Sequence, residues 1–264
     1  MKIKFTYIAL ISILLLTNCE IEKSNPTNLV VNFSHTIDGV NLVLGSGCTN
    51  GGECLPDHSC CIGGHLLPYT NTLGEKYNVQ TLKYLISDII LHKENGNNDT
   101  IKDVHYIDAS NRSTLFFDAG EISNGTYNNV SFTMGLDTTK NISNLYVNES
   151  FHSSMFWPDM MGGGYHYMKI EGAYNNDSTF YNTHTGGTMG TDYSFKNKFE
   201  ISLNTTDEDK IAEINFNMEI NNWYQNPNSI NLEPAIMSDI TKQGQLQNNG
   251  MTDVFSIETY AGRR

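Results

Sequence analysis

Leu82–Asp108, LKYLISDIILHKENGNNDTIKDVHYID, holds two apolar-rich runs on either side of a turn. Leu82–His92 and Ile101–Asp108 flank Glu94–Asp99, where Asn95-Gly96 offers the residues that tolerate the positive φ of a tight hairpin. Neighbouring stretches repeat the period of two. Leu29–His35 (LVVNFSH) alternates, with Val31, Phe33 and His35 on one face and Val30, Asn32 and Ser34 on the other. Thr114–Phe117 follows, then Tyr127–Met134 after the turn Ser123-Asn124-Gly125. Tyr165–Glu171 (YHYMKIE) places His166, Met168 and Ile170 on one face. Lys198–Leu203 and Ile211–Ile220 supply two more strands, the second with Ala212, Ile214, Phe216, Met218 and Ile220 inward. Strands at this spacing predict an all-β fold: an antiparallel two-sheet sandwich with long Cys/Gly-rich and Asn-rich loops. No repeat of fixed period and no Pro/Ser-rich linker divides the body, so residues 29–264 are expected to form one domain.

Charge narrows the function classes. The 264 residues carry 16 Lys+Arg against 29 Asp+Glu, a net charge of -13. An acidic surface cannot neutralise phosphates, so nucleic acid is excluded as a partner. Runs of Ala, Leu, Glu and Lys of the kind that build long helices are absent, which argues against a helical bundle.

Residues 1–18 read as a leader. Lys2 and Lys4 precede the apolar run Ile8–Leu16, which is of signal length and too short to span a bilayer. Leu16-Thr17-Asn18-Cys19 resembles a bacterial lipobox, which makes Cys19 the expected lipidated first residue of the mature chain. An ordinary secretory signal cut nearby is the alternative; both send the chain out of the cytoplasm. Removing residues 1–18 takes away two Lys and no acid, leaving 14 basic against 29 acidic side chains. Residues 19–28 then form an anchor and polar tether to an outer membrane, on its periplasmic or surface side.

Cys48, Cys54, Cys60 and Cys61 lie in a Gly-rich insertion, residues 45–66, that is too poor in apolar residues to bury a core of its own. An even count in an exported chain predicts two disulfides, in any of three pairings. His58 and His65 raise a zinc knuckle as the alternative, although C-x5-C-x5-C-C lacks the paired C-x2-C spacing of common zinc sites.

Enzyme templates fail in turn: there is no GxSxG, P-loop, GxGxxG before a helix, or HExxH. Asp/Asn-rich turns such as Glu94–Asp99 offer no more than weak Ca2+ sites. What remains is His and Met. His35 ends the first strand on its apolar face, His105 lies in the hairpin strand, His166 in GGGYHYMKIEG, and His184 in NTHTGG just after a turn. Met155, Met160, Met161, Met168 and Met189 crowd the same region, with Trp157 among them. Imidazole suits copper and zinc, and thioether favours Cu(I).

SSMFWPDMMGGGYHYMKIEG followed by NTHTGG resembles the MbnP-like domain of bacterial copper-associated periplasmic proteins and lipoproteins. That family carries Met-x-Trp, then Gly-Tyr, an apolar strand ending Glu-Gly, and later His-x-Gly. Pro68–Leu91, Val104–Asp108 and Gly125–Asp137 resemble further blocks of the family in the same order, so the likeness covers roughly residues 29–220. It implies copper bound through histidine and, in some members, a tryptophan oxidised to kynurenine by a dihaem partner of the peroxidase type. By position Trp157 matches the Met-x-Trp tryptophan, His184 the His-x-Gly histidine, His105 the hairpin histidine and His35 the one ending the first strand. Asp159 stands where a second Trp often follows, the Cys48–Cys61 insertion is extra, and His166 is a histidine that many members lack.

The expectation is therefore a lipid-anchored copper-binding protein for acquisition, storage or delivery rather than catalysis. Its Cu(I) or Cu(II) ligands are drawn from His35, His105, His166 and His184, with Trp157, Met155 and Met161 beside them. Two alternatives stand. One is a metal-free surface-binding module using Asn-rich loops and Trp223-Tyr224; the other is a substrate of a dihaem tryptophan oxidase.

Overall fold

Alternation of apolar and polar residues builds most of this fold. The computed structural model describes residues 25–45 and 67–262. The leader 1–18, Cys19, the four cysteines Cys48, Cys54, Cys60 and Cys61, and His58 and His65 lie outside the described residues. Among those described, the chain forms β1 (Thr27–Ile37), β2 (Val40–Asn41), β3 (Tyr69–Thr70), β4 (Lys76–Tyr77) and β5 (Thr81–Lys93). The run continues with β6 (Asn98–Asp108), β7 (Phe116–Ile122), β8 (Gly125–Met134), β9 (His166–Tyr174) and β10 (Asn176–Gly186). It ends with β11 (Phe195–Thr205), β12 (Ile211–Glu219) and β13 (Phe255–Gly262). Two short helices, α1 (His152–Met155) and α2 (Ile240–Gly250), complete it. No helix among the described residues is long and apolar enough to cross a membrane.

In the first sheet β12 lies between β13 and β1, and β7 and β2 pair with β1. β1 and β12 run parallel, Leu29 beside Ala212 and Phe33 beside Phe216, in contrast to the purely antiparallel sandwich expected. Antiparallel pairing is imposed only where a short turn joins two strands. Here most of the chain lies between the partners. The second sheet is built around β5, with β6 along one edge. β9 pairs with Thr81–Tyr84 and β8 takes over from Ile86 on the other edge. Leu29, Val31, Phe33, Ile214, Phe216 and Met218 of the first sheet meet Leu82, Tyr84, Ile86, Phe132, Met168 and Ile170 of the second in one core. Non-directional burial of such side chains is the dominant stabilising term, about 1.5–3 kcal/mol apiece.

Leu85 sits where β9 hands over to β8. Its neighbours Tyr84 and Ile86 belong to the main core, while Leu85 packs in a second cluster with Leu136, Phe151, Met155, Tyr165 and Tyr167. That cluster is supplied by residues 135–165, the excursion between β8 and β9, folded over the outer face of the second sheet. Trp223 and Tyr224, expected as surface contacts in the metal-free alternative, are instead fully buried.

Candidate metal centre

The outer face of β9 and β10, beneath the 135–165 excursion, gathers the chemistry. β10 pairs antiparallel with β9, His184 opposite Lys169 and Thr185 opposite Met168. Then the register slips by one residue, and Gly186 faces His166 with Tyr167 as the extra residue. A β-bulge of this kind re-aims a side chain. Strict alternation would have put His166 with Met168 and Ile170 in the core. Those two are indeed there, but His166 is turned out of it. Its ring lies 4.9 Å from that of His184 and 4.7 Å from Trp157, edge-on to both.

Each imidazole is oriented by a hydrogen-bond partner that can only accept. His166 Nδ1 lies 3.2 Å from the Met155 carbonyl oxygen, so Nδ1 carries the proton and donates. This leaves Nε2 as the lone-pair nitrogen. It is buried and has no hydrogen-bond partner, a costly state for a polar atom unless something binds it. Burial, then the neighbouring His184 and Lys169, depress the His166 pKa to about 3, so the ring is neutral and ready to ligate. His184 Nε2 lies 2.7 Å from Glu171 Oε1. The His184 hydrogen bond, with Lys169 beside it, lowers the Glu171 pKa to about 2, keeping it a carboxylate. His184 therefore donates from Nε2, and in its neutral form the lone pair lies on Nδ1.

The walls are made by backbone as much as by side chains. Trp157 is fully buried, donates its backbone N–H to Gly164 O at 2.9 Å and its indole Nε1–H to Met161 O at 3.4 Å. Met155 and Met161 thus enter the site through their carbonyls. Met155 also packs in the outer cluster, Met168 lies in the main core, and Met160 and Met189 are exposed. Gln243 of α2 donates to His184 O at 2.7 Å and accepts from the Gly186 N–H at 3.3 Å. It clamps the edge strand on both sides of the His184 side chain.

His35 and His105 lie elsewhere, between the sheets. His35 Nε2 is 3.1 Å from the Tyr84 hydroxyl, and burial lowers its pKa to about 4. His105 donates from Nε2 to Thr114 O at 2.9 Å, stacks on Phe33 and meets Phe117 at a tilt; burial lowers its pKa to about 4. Both have the hydrogen bonds of core histidines. The four histidines named from sequence thus separate into an outer pair, His166 and His184, and two inner residues. Among the described residues no three His, Cys, Asp or Glu side chains form a group suited to a metal; the candidate site consists of the two imidazoles of His166 and His184 in ring contact. Glu171 and Gln243 were not singled out by sequence. For Glu171 the only signal was its place beside Gly172 at the end of an apolar strand.

A family profile described as MbnP matches residues 26–239. Among solved structures, MbnP from Methylosinus trichosporium superposes with a TM-score of 0.52 at 11% identity, covering 89% of this chain and 99% of that one. At that identity the likeness is one of fold. No curated protein sequence matches.

Proposed function

We propose that this chain, which belongs to the MbnP family, is an extracytoplasmic copper-binding protein that holds Cu(I) between His166 Nε2 and His184 Nδ1. The observation that carries the reading is the buried, unpartnered Nε2 of His166 in ring contact with a second imidazole. A neutral nitrogen pair in an apolar wall suits a soft monovalent ion better than a divalent one, which prefers more ligands or charged ones. Family membership supports copper as the metal, and the leader-like residues 1–18 support export. In this reading the protein carries copper for acquisition, storage or delivery, catalyses nothing, and is tethered to the outer membrane through lipid on Cys19.

Elemental analysis of the purified domain after copper loading and desalting tests it. About one copper per chain is expected, and a His166→Ala/His184→Ala variant should retain none. Copper at background in folded wild-type protein, or undiminished copper in the double variant, would refute the site. The peptide mass at Trp157 reports whether a dihaem partner of the peroxidase type has altered the indole. Neither ligand nitrogen depends on such a change.

A further inference from the structure

We infer that Glu171 is a positioning residue for this centre, fixing which nitrogen of His184 faces the metal. The inference rests on the two-histidine reading above. Glu171 lies two residues past Lys169 on β9, on the same face as His184, which sits opposite Lys169 on β10. Its Oε1 reaches His184 Nε2 at 2.7 Å and Lys169 Nζ at 3.5 Å. A carboxylate oxygen only accepts, so the imidazole must present Nε2–H to it, and the other ring nitrogen becomes the one free to ligate. The Met155 carbonyl does the same for His166 through the opposite nitrogen, Nδ1. The two rings therefore have opposite tautomers, and that combination places the unprotonated nitrogens at Nε2 of His166 and Nδ1 of His184. Without Glu171 the His184 ring would exchange between tautomers, and in one of them a proton would occupy the ligating position.

The experiment pairs two readouts on wild type and Glu171→Gln. The first is the 15N shifts of the His184 ring in metal-free protein, which report the tautomer directly. The second is Cu(I) affinity against a chromophoric chelator under reducing conditions. Expected are an Nε2–H tautomer for His184 in wild type, a mixture in Glu171→Gln, and an affinity lower by about 10–100-fold, the usual effect of losing such a support. A merely structural role would not move the tautomer. If the Gln variant does not fold, Glu171→Asp, which keeps the charge but draws the oxygen back, carries the same readouts. An Nδ1–H tautomer in wild type, or a Glu171→Gln affinity within twofold of wild type, overturns the assignment and leaves the copper site standing. Wild type that binds no Cu(I) overturns the copper reading itself, and this assignment with it.

Discussion

Gly186 shows how little freedom a single position has here. A Cβ placed on it would lie 2.6 Å from Cε3 of Trp157 and 2.8 Å from the next two ring atoms, closer than carbon atoms approach. The indole is itself pinned between Gly186 and the His166 ring. Gly186→Ala should therefore cost about 1–3 kcal/mol by overpacking and push Trp157 against His166. Denaturant unfolding and tryptophan fluorescence would register both effects; wild-type stability and emission would show that the wall gives way without cost. At this scale the sequence was partly readable. His35 falls on the apolar face that alternation assigned to it, and is buried there. His166 does not, because the bulge that turns it outward belongs to the pairing of β9 with β10, a register no local pattern encodes. The division of four histidines into two inner and two outer residues was unreadable for the same reason.

β10 and α2 are among the elements that sequence reading missed, and they position the site together. Tyr181–Gly186 is dominated by Asn, Thr and Gly, without the apolar alternation that marks a strand, so sequence reading sets NTHTGG just after a turn and not on a strand. It is nonetheless an edge strand, paired to β9 on one side and to residues 233–243 on the other through Asn182 N to Glu233 O and Gln243 to His184 O. α2, ITKQGQLQNNG, has weak helix formers and no apolar stripe; its start is made by Asp239, whose side chain accepts from the Thr241 and Lys242 N–H groups. Gln243 is the link between them. Replacing it by Leu would leave the His184 and Ile236 carbonyls and the Gly186 N–H without that partner in a buried place, a loss of about 3 kcal/mol. Amide exchange at Gly186 should then quicken more than exchange in β1, and copper affinity should fall with the slackened strand. Unchanged protection at Gly186 would show that the strand is held by its β9 pairing alone.

The sandwich itself was the most legible part, since its strands announce themselves by period and turn residues, whereas the parallel seating of β1 on β12 joins chain segments too far apart for any local signal. That seating places Phe33 against the inner histidines' neighbourhood, and, with the buried His166, it shapes the whole molecule's response to acid. His35 is buried beside Tyr84 where the two sheets meet, and His105 is half-buried against Phe33 and Phe117. Burial holds both folded-state pKa values at about 4, below the ordinary value of 6.5. Between pH 6.5 and 4 the unfolded chain therefore binds protons that the folded one refuses, and stability falls as the pH falls. The slope is up to about 1.4 kcal/mol per pH unit for each histidine. Lowered carboxylate pKa values at Glu171, Asp108 and Asp137 push in the same direction below about pH 4.5. Metal-free protein should thus lose denaturant resistance steadily from pH 6.5 to pH 5, while the His35 and His105 ring protons show no titration over that range. A midpoint that stays level from pH 7 to 5 would mean that water reaches these rings, and that the two sheets do not close over them as tightly as the packing around Phe33 requires.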